Sequence, residues 1–371
     1  MDTLCKNLYN ISMKIKNLHL VNFRNYDNQM VDFCDEANLI SGPNGHGKTN
    51  IAEAICFASI GKSPRTHHDE ELVKDGCDKA KVKMTIEKTF GTQTLEYEIG
   101  EDKTFFVNGN KINKLADLFG TIVCVYFSPK EMSMIGGSPE LRREFMDDEI
   151  SQLSGNYYTL VQRYEKVLMQ RNKLLKNSFD HKAIIDQIGI WDDQLASLAA
   201  PIIKTRKNFI AKLLSPSQKA MSFLSKNAEE LSFEYVGASG GTIAEIKANI
   251  LHQLEENLSK DMEVGYTTIG PHRDDIKICI NGKDSKIYAS QGQKRSIVLA
   301  IKVGELELFS EALGEKPILV LDDVFSELDT GRQKKLYECI DGYQVIMTGT
   351  TFKHKPQGQY KSIKVKNGAV K

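Results

Sequence analysis

The octapeptide Gly42-Pro43-Asn44-Gly45-His46-Gly47-Lys48-Thr49 constrains this chain more than any other feature. It fits the pattern G-x-x-x-x-G-K-[ST], follows the short apolar run Asn38–Ser41, and opens an amphipathic stretch carrying Ile51, Ile55 and Ala58. A glycine-rich loop between a strand and a helix turns backbone N–H groups toward one point, and the helix adds the positive end of its dipole. Phosphates bind in such a cradle. Lys48 then brings a point charge to the β- and γ-phosphates, and the Thr49 hydroxyl can join a Mg²⁺ shell. The motif predicts an α/β P-loop fold that binds ATP with Mg²⁺ through residues 42–49.

A second motif lies about 270 residues downstream. The run Lys316-Pro317-Ile318-Leu319-Val320-Leu321-Asp322-Asp323 reads as a buried strand with two carboxylates at its tip. Asp322 is assigned to the Mg²⁺ shell. Asp323 is expected to face the γ-phosphate as the general base that orients water, with Lys48 as its catalytic partner. The gap between the motifs means that an inserted unit separates two parts of one ATPase core.

The third motif decides the class. Ser290-Gln291-Gly292-Gln293 precedes the helical run Ile297–Leu308. A hydroxyl and a bare glycine N–H at a helix start suit an anion. This is the form of an ABC-type signature, which reads the γ-phosphate of ATP held by a second subunit. Ser326-Glu327-Leu328-Asp329 has the form of the D-loop of the same superfamily.

The expected fold class is thus α/β, an ABC-type P-loop ATPase head with a mixed sheet and β-hairpins, plus an inserted helical arm or lobe. Residues 1–122 form the N-terminal part of the head, 123–263 the helical lobe and 264–371 the C-terminal part. Met13–Phe23, Val31–Phe33 and Lys81–Lys88 alternate as strands. Asn108-Gly109 and Asn281-Gly282 are hairpin turns, because a type I′ turn needs φ > 0 at both central residues. Leu160, Val161, Tyr164, Val167 and Leu168 mark one helix stripe, broken at Asn177–Asp180. A second helix carries Trp191, Leu195, Leu198 and Ile202; it is expected to be interrupted near Pro201 and to end near Pro216.

The 49 Lys+Arg balance 49 Asp+Glu among 371 residues, which argues against a uniformly basic nucleic-acid binder. Locally the balance breaks: 161–226 holds 12 Lys/Arg against 5 Asp/Glu, an excess of 7. That stretch is either a solvated helical surface or a phosphate-binding face. The longest apolar runs are far shorter than the roughly 20 residues of a membrane span, and the polar N-terminus carries no secretory signal. The seven cysteines are scattered without C-x-x-C spacing, so reduced thiols in a cytoplasmic protein are expected.

The chain resembles the RecF family of bacterial DNA replication and repair proteins, within the wider SMC and Rad50-like group. The resemblance rests on Met13-Lys14-Ile15-Lys16-Asn17-Leu18-His19-Leu20-Val21-Asn22-Phe23-Arg24-Asn25-Tyr26, Gly61-Lys62-Ser63 with Arg65-Thr66, Phe127-Ser128-Pro129 and Gly137-Ser138-Pro139 with Arg142-Arg143. Trp191-Asp192 with Gln194-Leu195, and Gly270-Pro271-His272-Arg273-Asp274-Asp275, extend it to nearly the whole chain. It starts at Met13, so Met1–Ser12 is read as an extension or a misplaced start. The resemblance implies a head-to-head homodimer formed on ATP, in which Lys48, Thr49 and Asp322 of one subunit and Ser290 and Gly292 of the other enclose the nucleotide. It implies weak, DNA-stimulated ATPase activity that acts as a clamp switch. Gapped or stalled-fork DNA, without sequence specificity, would be the target. RecO and RecR would be the partners in loading RecA recombinase, within replication, repair and the SOS response. Arg24 is placed near the nucleotide or on an exposed loop. Arg142-Arg143 and His272-Arg273 are candidates for DNA contacts or for salt bridges.

Two features depart from related ATPases. Thr348-Gly349-Thr350 stands where many ABC ATPases carry a switch histidine, and Asp323 is one methylene shorter than glutamate, which predicts slow turnover. A transporter ATPase subunit would show that histidine and a short docking lobe. A Rad50- or SMC-type tether would need hundreds of heptad residues or a zinc hook. A small-molecule P-loop kinase has no use for Ser290–Gln293.

Overall fold

The computed structural model describes residues 12–177, 181–325, 328–352 and 354–371. The possible extension Met1–Ser12, the helix break at Asn177–Asp180 and the start of the expected D-loop, Ser326-Glu327, lie largely outside them. The chain forms two compact units, each assembled from separate segments. The first holds Met1–Met132, Pro216–Glu230 and Gln291–Lys371, and the second Ser133–Ser215 and Leu231–Ser290. The boundaries expected at 122 and 263 therefore sit ahead of those drawn by the contacts. Residues 264–290 fold with the lobe, and the short segment 216–230 folds with the head.

The first unit has two six-stranded sheets around one helix. One sheet is antiparallel, in the order Tyr26–Asp32, Lys14–Phe23, Ala80–Lys88, Gly91–Ile99, Lys103–Val107, Asn110–Ile112. Its inward residues Leu18, Leu20, Val82, Met84 and Ile86 are fully buried, as period-2 spacing requires, and a register shift between Ile15 and Asn17 keeps Ile15 on the same buried face. Asn108 and Gly109 both take positive φ and pair Val107 with Asn110. The other sheet runs Ala369–Val370, Tyr360–Lys366, Ala37–Ser41, Val345–Gly349, Ile318–Asp322, Cys124–Phe127. Its pairings are parallel except the terminal hairpin. Val345–Gly349 and Ile318–Asp322 are buried at every position. Such strands read as unbroken apolar runs because both faces are covered.

Helix Lys48–Ile60 is buried from Ile51 to Ser59, on all sides and not only on one stripe. Phe57 packs on Tyr97 of the antiparallel sheet with ring centroids 4.8 Å apart, and the Tyr97 hydroxyl donates to the Ala54 carbonyl at 2.8 Å.

The second unit is mainly helical: Pro139–Leu153, Gly155–Asn177, most of His181–Ser225, Ile243–Glu256 and Leu258–Val264. It also contains a three-stranded antiparallel sheet, Lys283–Asp284, Asp275–Ile280 and Leu231–Val236. The expected end of the second long helix is corrected here, because His181–Ser225 runs through both Pro201 and Pro216. A proline inside a helix removes one hydrogen bond and costs about 3 kcal/mol, which packing must offset. The flanks do so: Ala199, Ala200, Ile202 and Ile203 are buried around Pro201. Past Pro216, Ser217 is fully buried, so close to Gly304 that a Cβ there would meet Ser217 Oγ at 2.4 Å.

The local excess of positive charge is not one surface. Arg171 has no exposed area; its guanidinium donates to Asp192 and to Asp261, each at 2.6 Å, and to Thr267 at 2.9 Å. Arg206 is likewise buried against Asp147. These are interior clips, retained because each charge is paired and hydrogen-bonded.

Candidate nucleotide site

The carboxyl ends of Ala37–Ser41, Val345–Gly349 and Ile318–Asp322 reach the same sheet edge, since Ser41 pairs with Gly349 and Asp322 with Thr348. Ligands of open parallel sheets bind outside that edge. The loop of residues 42–47 starts there, and its glycines are sterically required. A Cβ on Gly42 would lie 2.1 Å from the Val365 carbonyl oxygen; one on Gly47, at φ 110°, would lie 2.7 Å from Asn25 Oδ1. Neighbouring elements hold the loop in shape. Tyr26 Oη donates to Gly47 O at 2.9 Å and Asn25 Nδ2 to His46 O at 3.0 Å. From the C-terminal hairpin, Asn367 N donates to His46 Nδ1 at 2.9 Å and Gly368 N to His46 O at 3.1 Å.

Lys48 is 6% exposed, and its ammonium donates to Pro43 O at 2.8 Å. Burial lowers its pKa, while the carboxylates of Asp323 and Asp322 act in the opposite direction. Thr49 Oγ1 donates to Asp322 Oδ1 at 2.9 Å across 273 residues of sequence. Two further hydroxyls converge on Asp322: Thr348 Oγ1 at 2.6 Å on Oδ1 and Tyr126 Oη at 3.1 Å on Oδ2. Burial, with the Asp322 carboxylate beside it, raises the Tyr126 pKa well above its usual value, so it remains a donor. Asp323 has φ 56°, a sparsely populated region for a residue with a side chain. Its N–H donates to both the carbonyl and the hydroxyl of Thr348, at 3.2 and 3.0 Å, which holds the bend.

Sequence reasoning placed Thr348 only as an occupant of the switch-histidine window, without its bond to Asp322, and missed Tyr126. Each ends or occupies an apolar run, and only the parallel register brings both against the Asp pair. Among the described residues no cluster of three His, Cys, Asp or Glu side chains could hold a metal. The oxygen set here, one carboxylate and one hydroxyl beside a phosphate cradle, instead fits Mg²⁺, which binds few protein ligands and keeps phosphate and water oxygens.

An open cleft of about 780 Å³ fronts these groups, lined among others by Gly45, Lys48, Thr49, Arg65, Lys74 and Asp323. Arg24 also lines it, yet its guanidinium is held by Glu53, at 2.9 and 2.7 Å. Glu53 is fully buried and also accepts from Arg65 at 3.0 Å and Ser63 at 2.6 Å. The cluster of Gly61-Lys62-Ser63 with Arg65 is therefore tied to the cradle through one carboxylate.

Gln291, Gly292 and Gln293 do not line this cleft. They form the first turn of helix Gln291–Leu313, where Gln293 Nε2 donates to Glu229 at 3.0 Å and Gln291 is exposed. Ser290, just before the helix, is exposed. Asp329 caps the helix Thr330–Cys339 by accepting from Arg332 N at 3.0 Å. Arg332 reaches Ser296 Oγ at 3.2 Å, on the helix Gln291–Leu313.

The description "RecF/RecN/SMC N terminal domain" matches residues 14–365 of this chain. The DNA replication and repair protein RecF of Ruminiclostridium cellulolyticum is 40% identical, with 92% of this chain and 94% of the relative covered. The chain belongs to the RecF family. The RecF of Clostridium tetani is 39% identical over 96% of this chain and 99% of its own length. Among solved structures, that of the recombination mediator protein RecF-ATP in the RecFOR pathway superposes with TM-score 0.91 at 36% identity, covering 98% of each chain. An SMC head bound to the C-winged helix domain of ScpA shares the fold, with TM-score 0.57 at 14% identity over 96% of each chain. The fold is thus the ABC-type ATPase head common to RecF and SMC proteins. No helix among the described residues is long and apolar enough to cross a membrane.

The family's Gly270–Asp275 run lies in the second unit and is largely structural. Asp275 accepts two bonds from buried Arg142, at 2.6 and 2.8 Å. His272 sits between Tyr164 Oη, at 2.6 Å, and Thr267 O, at 3.0 Å. Burial lowers the His272 pKa from 6.5 to about 4 and raises that of Asp274 from 3.8 to about 6. The histidine's contribution to stability is present above pH 6.5 and lost as pH falls toward 4. The aspartate's is present below 3.8 and lost as pH rises through 6. The trends oppose and nearly cancel in the unsubstituted protein. Asp274→Asn should expose the histidine, giving stability that rises between pH 4 and 6.5. His272→Gln should expose the aspartate, giving stability that falls over pH 4 to 6. Each slope is worth roughly 3 kcal/mol at about 1.4 kcal/mol per pKa unit. Denaturant unfolding at several pH values checks this, and two flat profiles would contradict it.

Proposed function

We propose that this chain is an ATP-dependent DNA-binding recombination mediator whose nucleotide sites are completed by a second copy of itself. The observation that carries the reading is the convergence of Thr49, Thr348 and Tyr126 on Asp322 at the open end of the P-loop strand. The backbone amides of residues 44–48 and the dipole of helix Lys48–Ile60 hold the phosphates. Lys48 leaves the Pro43 carbonyl to meet the β- and γ-phosphates. Thr49 and Asp322 would hold Mg²⁺, which would neutralise charge on the phosphate oxygens. Asp323, aimed by its bonded and bent backbone, accepts the proton of the attacking water as ATP becomes ADP and phosphate. Arg24, held by Glu53, borders the same cleft.

Ser290, Gln291, Gly292 and Gln293 act in the partner copy's site. The exposed helix start offers N–H donors and a dipole to a γ-phosphate that its own cleft does not present to it. Binding of ATP then closes a clamp, and slow hydrolysis, stimulated by DNA, opens it. The RecFOR assignment of the 36%-identical relative supports DNA, RecO and RecR as partners, with RecA loading at gaps or stalled forks in the cytoplasm as the outcome and the SOS response as the setting. A long-range tether is not favoured, because the two long helices Gly155–Asn177 and His181–Ser225 have 23 and 45 residues, about 35 and 68 Å at 1.5 Å per residue, far short of hundreds of heptad residues.

Sedimentation with and without ATP, Mg²⁺ and gapped DNA tests this. The expected result is a monomer that becomes a DNA-bound dimer only with ATP. A monomer under every condition overturns it.

A further inference from the structure

The turn Gly270–Asp275 gathers four arginines, of which two are neutralised and two are not. Arg142 is buried on Asp275, and Arg206 is buried on Asp147, with a third bond to Pro271 O at 2.7 Å. Arg143 donates to Asp274 O at 2.9 Å, and among the described residues no carboxylate lies within ion-pair distance of it. Arg273 is exposed, its guanidinium carbon 4.9 Å from the ring centroid of Tyr266, itself 40% exposed, and it likewise has no ion-pair partner among the described residues.

The remaining charges around them do not supply the missing anion. The Asp274 carboxylate turns inward, accepting from Tyr235 Oη at 2.5 Å against the backbone of Gly237. His272 is held neutral by burial. Glu140, one helical turn before Arg143, and Asp275, already bonded to Arg142, act on it only at a distance. Burial and then the charge of Arg206 lower the Arg143 pKa, and Arg273 acts the same way. Holding these cations together has a cost that a bound anion would relieve.

We propose that Arg143 and Arg273, with the ring of Tyr266, form a contact surface for the phosphate backbone of nucleic acid. This rests on the DNA-binding reading above and gives it a location in the second unit. An arginine fork matches phosphate oxygens, and an exposed tyrosine gives a base a face to stack on. The exposure of Arg273 and Tyr266 suits an extended polyanion rather than a small enclosed anion.

The test is DNA binding by fluorescence anisotropy over a series of salt concentrations with ATP present, using gapped DNA. Arg273→Gln should lower the slope of log affinity against log salt by about 1, one phosphate contact. Arg273→Glu should weaken binding by about 10-fold or more, with unchanged thermal unfolding and unchanged nucleotide binding. The double variant Arg143→Gln/Arg273→Gln should lose about two units of slope. Arg273→Glu is the deciding variant, because its side chain is exposed and its loss leaves the fold intact, whereas Arg143 also holds a backbone carbonyl. DNA binding by Arg273→Glu with the unsubstituted affinity and salt slope overturns this surface and leaves the function standing. No DNA binding by the unsubstituted protein overturns both.

Discussion

Mixing Lys48→Met subunits with Ser290→Arg subunits should restore ATPase activity that neither variant has alone. Lys48 is buried in the cleft that the phosphates would occupy. Replacing it removes the charge at the β- and γ-phosphates, and turnover should fall on the order of 10²–10³-fold. Ser290 is exposed at the start of the signature helix, and Gln291–Gln293 lie outside that cleft. Ser290→Arg should therefore leave nucleotide binding to one subunit intact while blocking closure and hydrolysis. In a two-fold dimer each heterodimer has one intact composite site and one doubly damaged site. An equal mixture should recover up to roughly a quarter of the unsubstituted activity. A titration of one variant into the other, read by phosphate release, checks this. Activity no greater than the sum of the two variants, or normal dimerisation and hydrolysis by Ser290→Arg alone, would sink the two-subunit site.

The second large effect separates the adjacent aspartates. Asp322 accepts three hydroxyl donors and is 5% exposed, whereas Asp323 reaches the cleft on a bent backbone. Asp322→Ala should abolish the Mg²⁺-dependent part of the thermal stabilisation by ATP as well as turnover. Asp323→Ala should keep that stabilisation and lose turnover, on the order of 10²-fold or more. Thermal unfolding with ATP, with and without Mg²⁺, reads the first role; phosphate release reads the second. Mg²⁺-dependent stabilisation that survives Asp322→Ala and disappears in Asp323→Ala would exchange the two assignments.

Much of the head was legible from local pattern. The P-loop, the hairpin turn Asn108-Gly109 and the buried strand Ile318–Leu321 are short-range signals in which a few residues carry the whole physical requirement. The lobe was less legible. The strand Leu231–Val236 carried no motif, the capping box Thr242–Glu245 that opens the helix Ile243–Glu256 went unread, and the prolines at 201 and 216 pointed to breaks that tertiary packing overrides. The positive excess over 161–226 could not be read as a surface, because Arg171 and Arg206 find carboxylates far away in sequence.

By itself the sequence determined the glycine-rich loop between strand and helix, the separation of the head into distant segments and the order of the motifs. Those depend on backbone conformations that particular residues at fixed spacing permit. Only the tertiary structure decided which side chains aim Asp322 and Asp323, that Glu53 ties Arg24 and Arg65 together, and which arginines of the lobe are left without a carboxylate. Those are contacts across tens to hundreds of residues, set by strand register and helix packing, and no local spacing encodes them.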